Sequence, residues 1–297
     1  MSPRHPERET HSVTALLELI ASLFTDRSAP NNLARVSPSS RPLIAVPARF
    51  SESASALRFR AEVNAHKLIE AIFAAGGEPL TIHPSADVRP ADIADRLKFV
   101  DAVVLPGGGD VSPKLYGGDH HDELYDVDPL QDAFDVAVAT WAMRTARPLL
   151  AICRGLQVVN IACNGTLLAH LDRPHRHVTS RLTFGADTHL STVTGSRDMT
   201  ISCFHHQAID RLGEGLHAVA WSDDGVVEAV ETAEGARQWF LGVQWHPEDT
   251  AETDAAQRAI FAGLARSAAD FARARTVDQI SLPAAIDARR ASPSVSK

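Results

Sequence analysis

Pro148-Leu-Leu-Ala-Ile-Cys-Arg-Gly-Leu-Gln157 is the stretch from which the fold of this chain can be read. Pro148 to Ile152 is a short, unalternated apolar run bounded by proline, the pattern of a buried strand, and Arg154 to Cys163 carries on with helical spacing. Cys153 stands at the junction, with Gly155 two residues on. A sharp strand-to-helix turn of this kind projects the side chain at its apex above the sheet. It needs small residues where the backbone crowds, and it aims the first amides of the new helix at that side chain. Such amides lower a thiol's pKa and favour the reactive thiolate. Taken alone, the segment leaves two readings level, a nucleophile or one of the inert cysteines that commonly pack protein cores.

The same grammar repeats on the amino-terminal side. Pro42 to Pro47 is an apolar run between prolines, Leu57 to Ala75 has helical spacing stopped by Gly76-Gly77, and strand, helix and strand follow at Pro79 to His83, Ala91 to Phe99 and Ala102 to Leu105. A helix over Pro129 to Arg144 leads into the quoted strand. Alternating helices and unalternated apolar strands predict a mostly parallel sheet covered on both faces, with ligands at the carboxyl ends of its strands. From about Thr188 to Val243 the texture changes to short strands at Leu216 to Trp221, Val226 to Val230 and Gln238 to Val243, with turn signals such as Asp223-Asp224-Gly225. These predict antiparallel strands extending the sheet, closed by a helix from about Glu248 to Arg273. Residues 1–41 and 276–297, rich in turn-formers and polar residues, are expected to be largely disordered, which leaves 42–275 as one domain.

With 297 residues, 44% hydrophobic and 22% charged, and a formal net charge of −8, the chain suits a globular domain and argues against nucleic acid as a partner. Substrate charge stays open, because a pocket on an acidic protein can still be basic. Cys153, Cys163 and Cys203 cannot all pair, and their spacing matches no zinc or redox motif, so a reducing, cytoplasmic setting is expected. Val13 to Phe24 is too short to span a bilayer and follows an acidic head unlike a signal peptide. The histidine groups His120-His121, His175 with His177, and His205-His206 have no carboxylate or cysteine set at metal spacing in sequence, so no metal and no cofactor are expected. Arg173 to Arg181 reads as a solvated loop, and Trp221 and Trp245 as core or pocket-wall aromatics.

Two further segments bear on Cys153. Gly242-Val-Gln-Trp-His-Pro-Glu248 places His246 directly after a strand and Glu248 two residues on, a base with a carboxylate able to fix its tautomer. Its bland reading is a loop histidine and a helix-start acid, and for Glu248 that reading is compatible with catalysis. Leu105-Pro-Gly-Gly-Gly-Asp-Val-Ser-Pro113 is a glycine-rich turn whose amides can face a developing oxyanion, although three glycines after a strand are also an ordinary tight turn. It lacks the spacing of a dinucleotide or P-loop fingerprint.

These three segments, in this order, resemble the class I glutamine amidotransferase-like superfamily, through Cys153-Arg-Gly-Leu-Gln157 and His246-Pro-Glu248. Arg154 after the cysteine resembles the γ-glutamyl-γ-aminobutyrate hydrolase family, peptidase C26, as do Asp110-Val-Ser-Pro113, Asp128-Pro to Phe134, Asn164-Gly-Thr-Leu167, His205-His-Gln-Ala208 and Asp224-Gly-Val-Val-Glu-Ala229. The likeness spans about Pro42 to Gly263. It implies a flavodoxin-like three-layer α/β/α sandwich and hydrolysis of γ-glutamyl amides through a thioester at Cys153, with His246 and Glu248 completing a triad and a place in polyamine breakdown. By matching position, Gly108, Gly109 and Arg154 would supply the oxyanion amides, while Gln157, His205, His206 and Gln207 would border the substrate. The partner is then a small γ-glutamyl molecule, with neither nucleic acid nor membrane involved, and self-association as a homodimer is expected. The chain departs from the family in a shorter stretch between His177 and His205 and in Cys203 at a usually polar position, both of which bear on the leaving amine. A glutaminase subunit feeding ammonia to a separate synthetase is the alternative, and a non-catalytic binding protein on the same fold is the third reading.

Overall fold

The computed structural model describes the backbone of residues 41–290 apart from 234, 235 and 237, and side chains as far as 276. Its centre is a nine-stranded sheet built from β1 (Leu43–Pro47), β4 (Glu78–Ile82), β5 (Ala102–Leu105), β6 (Leu149–Ile152), β8 (His175–Phe184), β9 (Asp198–His205), β11 (Leu216–Trp221), β12 (Val227–Thr232) and β13 (Phe240–Val243). The order across the sheet is β4-β1-β5-β6-β13-β12-β11-β8-β9. From β4 to β13 the strands are parallel, and from β12 onward each neighbour is antiparallel. Outside this sheet, β7 (Thr166–Leu168) and β10 (Ala208–Arg211) form an antiparallel pair of their own.

Both faces of the sheet are covered, as fully apolar strands such as Ala102-Val-Val-Leu105 require. On one face pack α1 (His66–Ala74), α5 (His189–Thr194) and α6 (Ala255–Arg290), through Leu68, Ile72, Leu190, Ile260, Phe261 and Leu264. On the other lie α2 (Pro90–Leu97), α3 (Pro129–Arg144) and α4 (Arg154–Ala162), through Ile93, Leu97, Phe134, Val138 and Leu156. This is the expected three-layer α/β/α sandwich. No helix among the described residues is long and apolar enough to cross a membrane.

Several expectations are corrected. The helix expected over Leu57 to Ala75 begins only at His66, because β2 (Arg49–Ser51) and β3 (Ala61–Val63) pair as a hairpin and Leu57 and Phe59 stand exposed. Arg173 to Arg181 is not a loop, since most of it forms β8, which pairs with β9 from His175 opposite His205 to Thr183 opposite Asp198. The final strand of the extension, β13, runs parallel to β6 and so belongs to the core of the sheet. The closing helix starts later and ends later than expected. Pro247–Asp249 is a single 3-10 turn, and α6 continues to Arg290, taking in much of the expected tail. Residues 1–40 and 291–297 lie outside the described residues.

Candidate active site

Strand order brings the three sequence segments together. Leu105 of β5 pairs with Ala151 of β6, and Ile152 of β6 pairs with Val243 of β13. Because these three strands are adjacent and parallel, the glycine turn, Cys153 and His246 all leave the sheet at the same carboxyl edge.

Cys153 has φ 50° and ψ −108°, a conformation that costs a non-glycine residue about 1–3 kcal/mol and so must be held by its surroundings. The holding contacts are identifiable. The Cys153 N–H donates to the Val243 carbonyl at 2.7 Å, and its own carbonyl accepts from Gln157 N in the first turn of α4. Gly155 passes so close to β5 that a β-carbon there would lie 2.1 Å from the Leu105 carbonyl oxygen. The glycine of the Cys-x-Gly motif is therefore a packing requirement. The thiol is 5% exposed and lies 3.9 Å from the carbonyl oxygen of Phe204 on β9.

His246 leaves β13 and donates its backbone N–H to the Ser202 carbonyl, which fixes its position against β9. Its Nδ1 lies 2.8 Å from Glu248 Oε1, which leaves Nε2 as the nitrogen free to serve the thiol. Burial pulls the imidazole toward neutrality, but the nearby Cys153 and Glu248 outweigh it and hold His246 well above the ordinary histidine range. The imidazolium is the form of His246 that this electrostatic balance favours. Gly107 crowds the same ring, since a β-carbon there would meet His246 Cε1 at 2.7 Å.

Beneath the elbow runs a buried ion cluster. Arg154 reaches down from the start of α4 to Asp132, at 2.6 Å, and to Asp135, both on α3. Arg49 pairs with Asp135 at 2.9 Å and donates to the carbonyls of Pro106 and Gly107 at 2.6 and 2.7 Å. Burial lowers the Arg49 pKa to about 10 and raises that of Asp132. One ionic unit thus joins the cysteine elbow, the glycine turn and α3. The Arg154 side chain is spent on it, in keeping with a role in orienting the elbow.

A cleft of ≈ 710 Å³ opens over these groups, lined by Gly108, Gly109, Arg154 and His246 together with Arg60, Tyr125 and Asp126. That size suits a small molecule. The expected substrate-binding side chains do not line it. Gln157 donates to the Gln207 carbonyl, Gln207 clamps both the N–H and the carbonyl of Val111, and His206 bonds Asp110 at 2.8 Å. His205 turns its Nδ1 to the Gln207 carbonyl. All four are buried scaffolding that ties β9 and the following turn to the glycine loop. Beyond Gly108, Gly109, Arg154 and His246, most of the wall comes from elements that sequence reasoning missed, namely the β2–β3 hairpin with Arg49 and Arg60, and the segment before α3 with Tyr125, Asp126 and Asp128. The only hint of them was Asp128-Pro, where Asp128 caps α3 by accepting from Leu130 and Gln131 N–H groups.

The fold is that of the class I glutamine amidotransferase-like proteins. Within that class the chain belongs to the Peptidase C26 family, whose model matches residues 42–248. A glutamine amidotransferase-like protein of Lactococcus lactis, YvdE, is 38% identical over 183 residues, 58% of this chain and 76% of that protein. The γ-glutamyl-γ-aminobutyrate hydrolase PuuD of Escherichia coli is 31% identical over 216 residues, 67% of this chain and 83% of PuuD. In backbone, a crystal structure from Thermoplasma acidophilum, provisionally described as a GMP synthase component, superposes with a TM-score of 0.56 over 80% of this chain and 98% of that one, at 16% identity. That last likeness speaks to the fold alone. Family and relatives place the chain among the glutamine amidotransferase-like hydrolases.

Proposed function

We propose that the protein hydrolyses γ-glutamyl amides, γ-glutamyl-γ-aminobutyrate among them, through a γ-glutamyl thioester on Cys153. The observation that carries this reading is the strained Cys153 facing a His246 whose far nitrogen is held by Glu248 at 2.8 Å. The thiolate attacks the γ-carbonyl, and the amides of Gly108, Gly109 and Arg154 receive the oxyanion. His246 then gives its proton to the departing amine. Water, activated by the now neutral His246, cleaves the thioester, regenerating thiolate and imidazolium and releasing glutamate, whose acid proton passes to the amine product or to solvent. The cleft carries Arg60 beside Asp126 and Asp128, so a glutamyl head with both ammonium and carboxylate meets partners of both signs. Three free cysteines support a reducing, cytoplasmic setting, and a place in polyamine breakdown rests on the likeness to PuuD.

The likeness to proteins named glutamine amidotransferase favours one other reading, a glutaminase that works with a separate synthetase. One assay separates the two. Purified protein is offered glutamine and a panel of γ-glutamyl amines, and glutamate release is followed with Cys153→Ala as the control. Hydrolysis of γ-glutamyl amines by the protein alone, abolished in Cys153→Ala, is the expected result. Release from nothing in the panel, or equal release by the variant, overturns the hydrolase reading, and cleavage of glutamine only with an added partner favours the glutaminase.

A further inference from the structure

In sequence the histidine groups lack a matching cysteine or carboxylate, yet folding supplies both. His175 of β8, Cys203 and His205 of β9 and Glu228 of β12 converge so that one ligand atom from each lies within 4.8 Å of every other. Cys203 and His205 are two apart on a strand and so face the same side, and His175 is the register partner of His205. Glu228 is fully buried, and Cys203 and His205 are nearly so.

The hydrogen bonding orients these groups inward. His205 Nδ1 lies 3.0 Å from the Gln207 carbonyl, which can only accept, so Nδ1 carries the hydrogen and Nε2 presents a lone pair. That Nε2 faces Glu228 Oε1 at 3.7 Å, and neither His205 Nε2 nor Glu228 Oε2 has a hydrogen-bond partner among the described residues. Opposite, His175 points Nε2 at Asp224 Oδ2, 3.0 Å away, and Nδ1 at Glu228 Oε1, 3.2 Å away. Each histidine thus has its outer nitrogen held by a backbone carbonyl or a carboxylate and its inner nitrogen turned to a shared centre, the support that metal-binding histidines characteristically have.

We propose that His175, Cys203, His205 and Glu228 bind one zinc-class divalent ion, in a site separate from the Cys153 triad. Two imidazoles, a thiolate and a carboxylate are a tetrahedral donor set for Zn²⁺, for which ligand atoms sit roughly 3.3–3.6 Å apart, so the widest separation here closes by about 1 Å. Binding forms one Zn–S, one Zn–O and two Zn–N bonds, breaks the His175 Nδ1–Glu228 hydrogen bond, and releases two protons to solvent, one from the Cys203 thiol and one from His175 Nδ1. Thiolate and carboxylate then balance the two positive charges. The ion would lock β8, β9 and β12 together behind Phe204, which lines the cleft and whose carbonyl contacts the Cys153 thiol.

The test uses the full chain carrying Cys153→Ala, so that the nucleophile contributes no sulfur, stripped with a chelator and titrated with Co²⁺ and then Zn²⁺. Expected are one equivalent of Co²⁺ with a thiolate charge-transfer band, displacement by one equivalent of Zn²⁺, and loss of that band on adding Cys203→Ser. Asp224→Asn should weaken binding by about 10–100-fold through the outer hydrogen bond of His175. Independently of any change at Cys203, native mass spectrometry of the stripped Cys153→Ala protein should show the mass of one added zinc after one equivalent of Zn²⁺. Absence of a charge-transfer band at one equivalent, a band that survives Cys203→Ser, or no added zinc mass at one equivalent would overturn the site and leave the cluster as a network of ion pairs.

Discussion

A β-carbon on Gly155 would sit 2.1 Å from the carbonyl oxygen of Leu105. The obstacle is backbone of a central strand, so no side-chain rotation relieves it, and α4 would have to lift away from β5. Gly155→Ala should therefore destabilise the fold by about 1–3 kcal/mol or more, the usual range for forced overpacking. Glutamate release should fall with it, because the same displacement moves Cys153 relative to Gly108 and Gly109. Urea unfolding of the variant checks this, and a midpoint equal to that of the parent would show that the elbow does not depend on this contact.

Arg154 and Asp135 test the ionic unit under the elbow. Arg154→Met leaves Asp132 and Asp135, both almost wholly buried, with Arg49 as the remaining cation of the cluster. Breaking a buried pair on one side costs about 3–5 kcal/mol. Lysine cannot fork to two carboxylates as a guanidinium does, so Arg154→Lys should recover only part of the loss. Thermal melting of both variants gives the order parent, Lys, Met. An Arg154→Met protein as stable as the parent would mean that the cluster contributes nothing to the fold.

Much of this arrangement was legible before folding. Cys153, His246 and the glycine turn each follow an apolar run, and an unalternated strand in an α/β chain ends where ligands bind. Adjacency was not legible. That β13 returns beside β6, over ninety positions along the chain, depends on sheet order, and so did the mistaken assignment of Gln238 to Val243 to the antiparallel extension. Polar strands were the second blind spot. His175 to Phe184 has a largely exposed sequence, and its charge reads as a loop because the backbone pairing with β9 leaves no apolar trace. The motif residues Gln157, His206 and Gln207 announced importance but not direction. A polar side chain in a motif can face a ligand or pin a loop, and only the hydrogen bonds decide between them.

Gly107 controls the base without touching the nucleophile. A β-carbon there would meet His246 Cε1 at 2.7 Å, so the ring that bonds Glu248 would have to shift. Misplacing a catalytic group by about 1 Å can lower the rate about 10²-fold. Gly107→Ala should accordingly lower kcat by about that factor while changing the unfolding midpoint less than Gly155→Ala does, since the clash is with a side chain and not with a strand. Steady-state kinetics beside urea unfolding separate the two effects, and an unchanged kcat would remove His246 placement as the role of this glycine.

On the proposed mechanism, His246 should also set the alkaline limit of the reaction. Burial alone would discharge it, but Cys153 and Glu248 hold its pKa well above the ordinary histidine range, so the imidazolium proposed to protonate the leaving amine persists through neutral pH. Because the shift is upward, activity should be lost as pH rises through the raised value. The stability that the ion pair contributes follows the same course, complete below the unfolded histidine pKa and lost above the folded one. Glu248→Gln removes the negative charge that favours the imidazolium and so moves the alkaline limb of kcat/KM to lower pH. It also takes away the acceptor that fixes the tautomer, and kcat should fall by about 10²–10⁴-fold, the range that positioned acid–base groups contribute. A pH–rate profile read beside an NMR titration of the His246 ring tests both statements. An alkaline limb that stays in place in Glu248→Gln would mean that Glu248 does not set the charge state of His246.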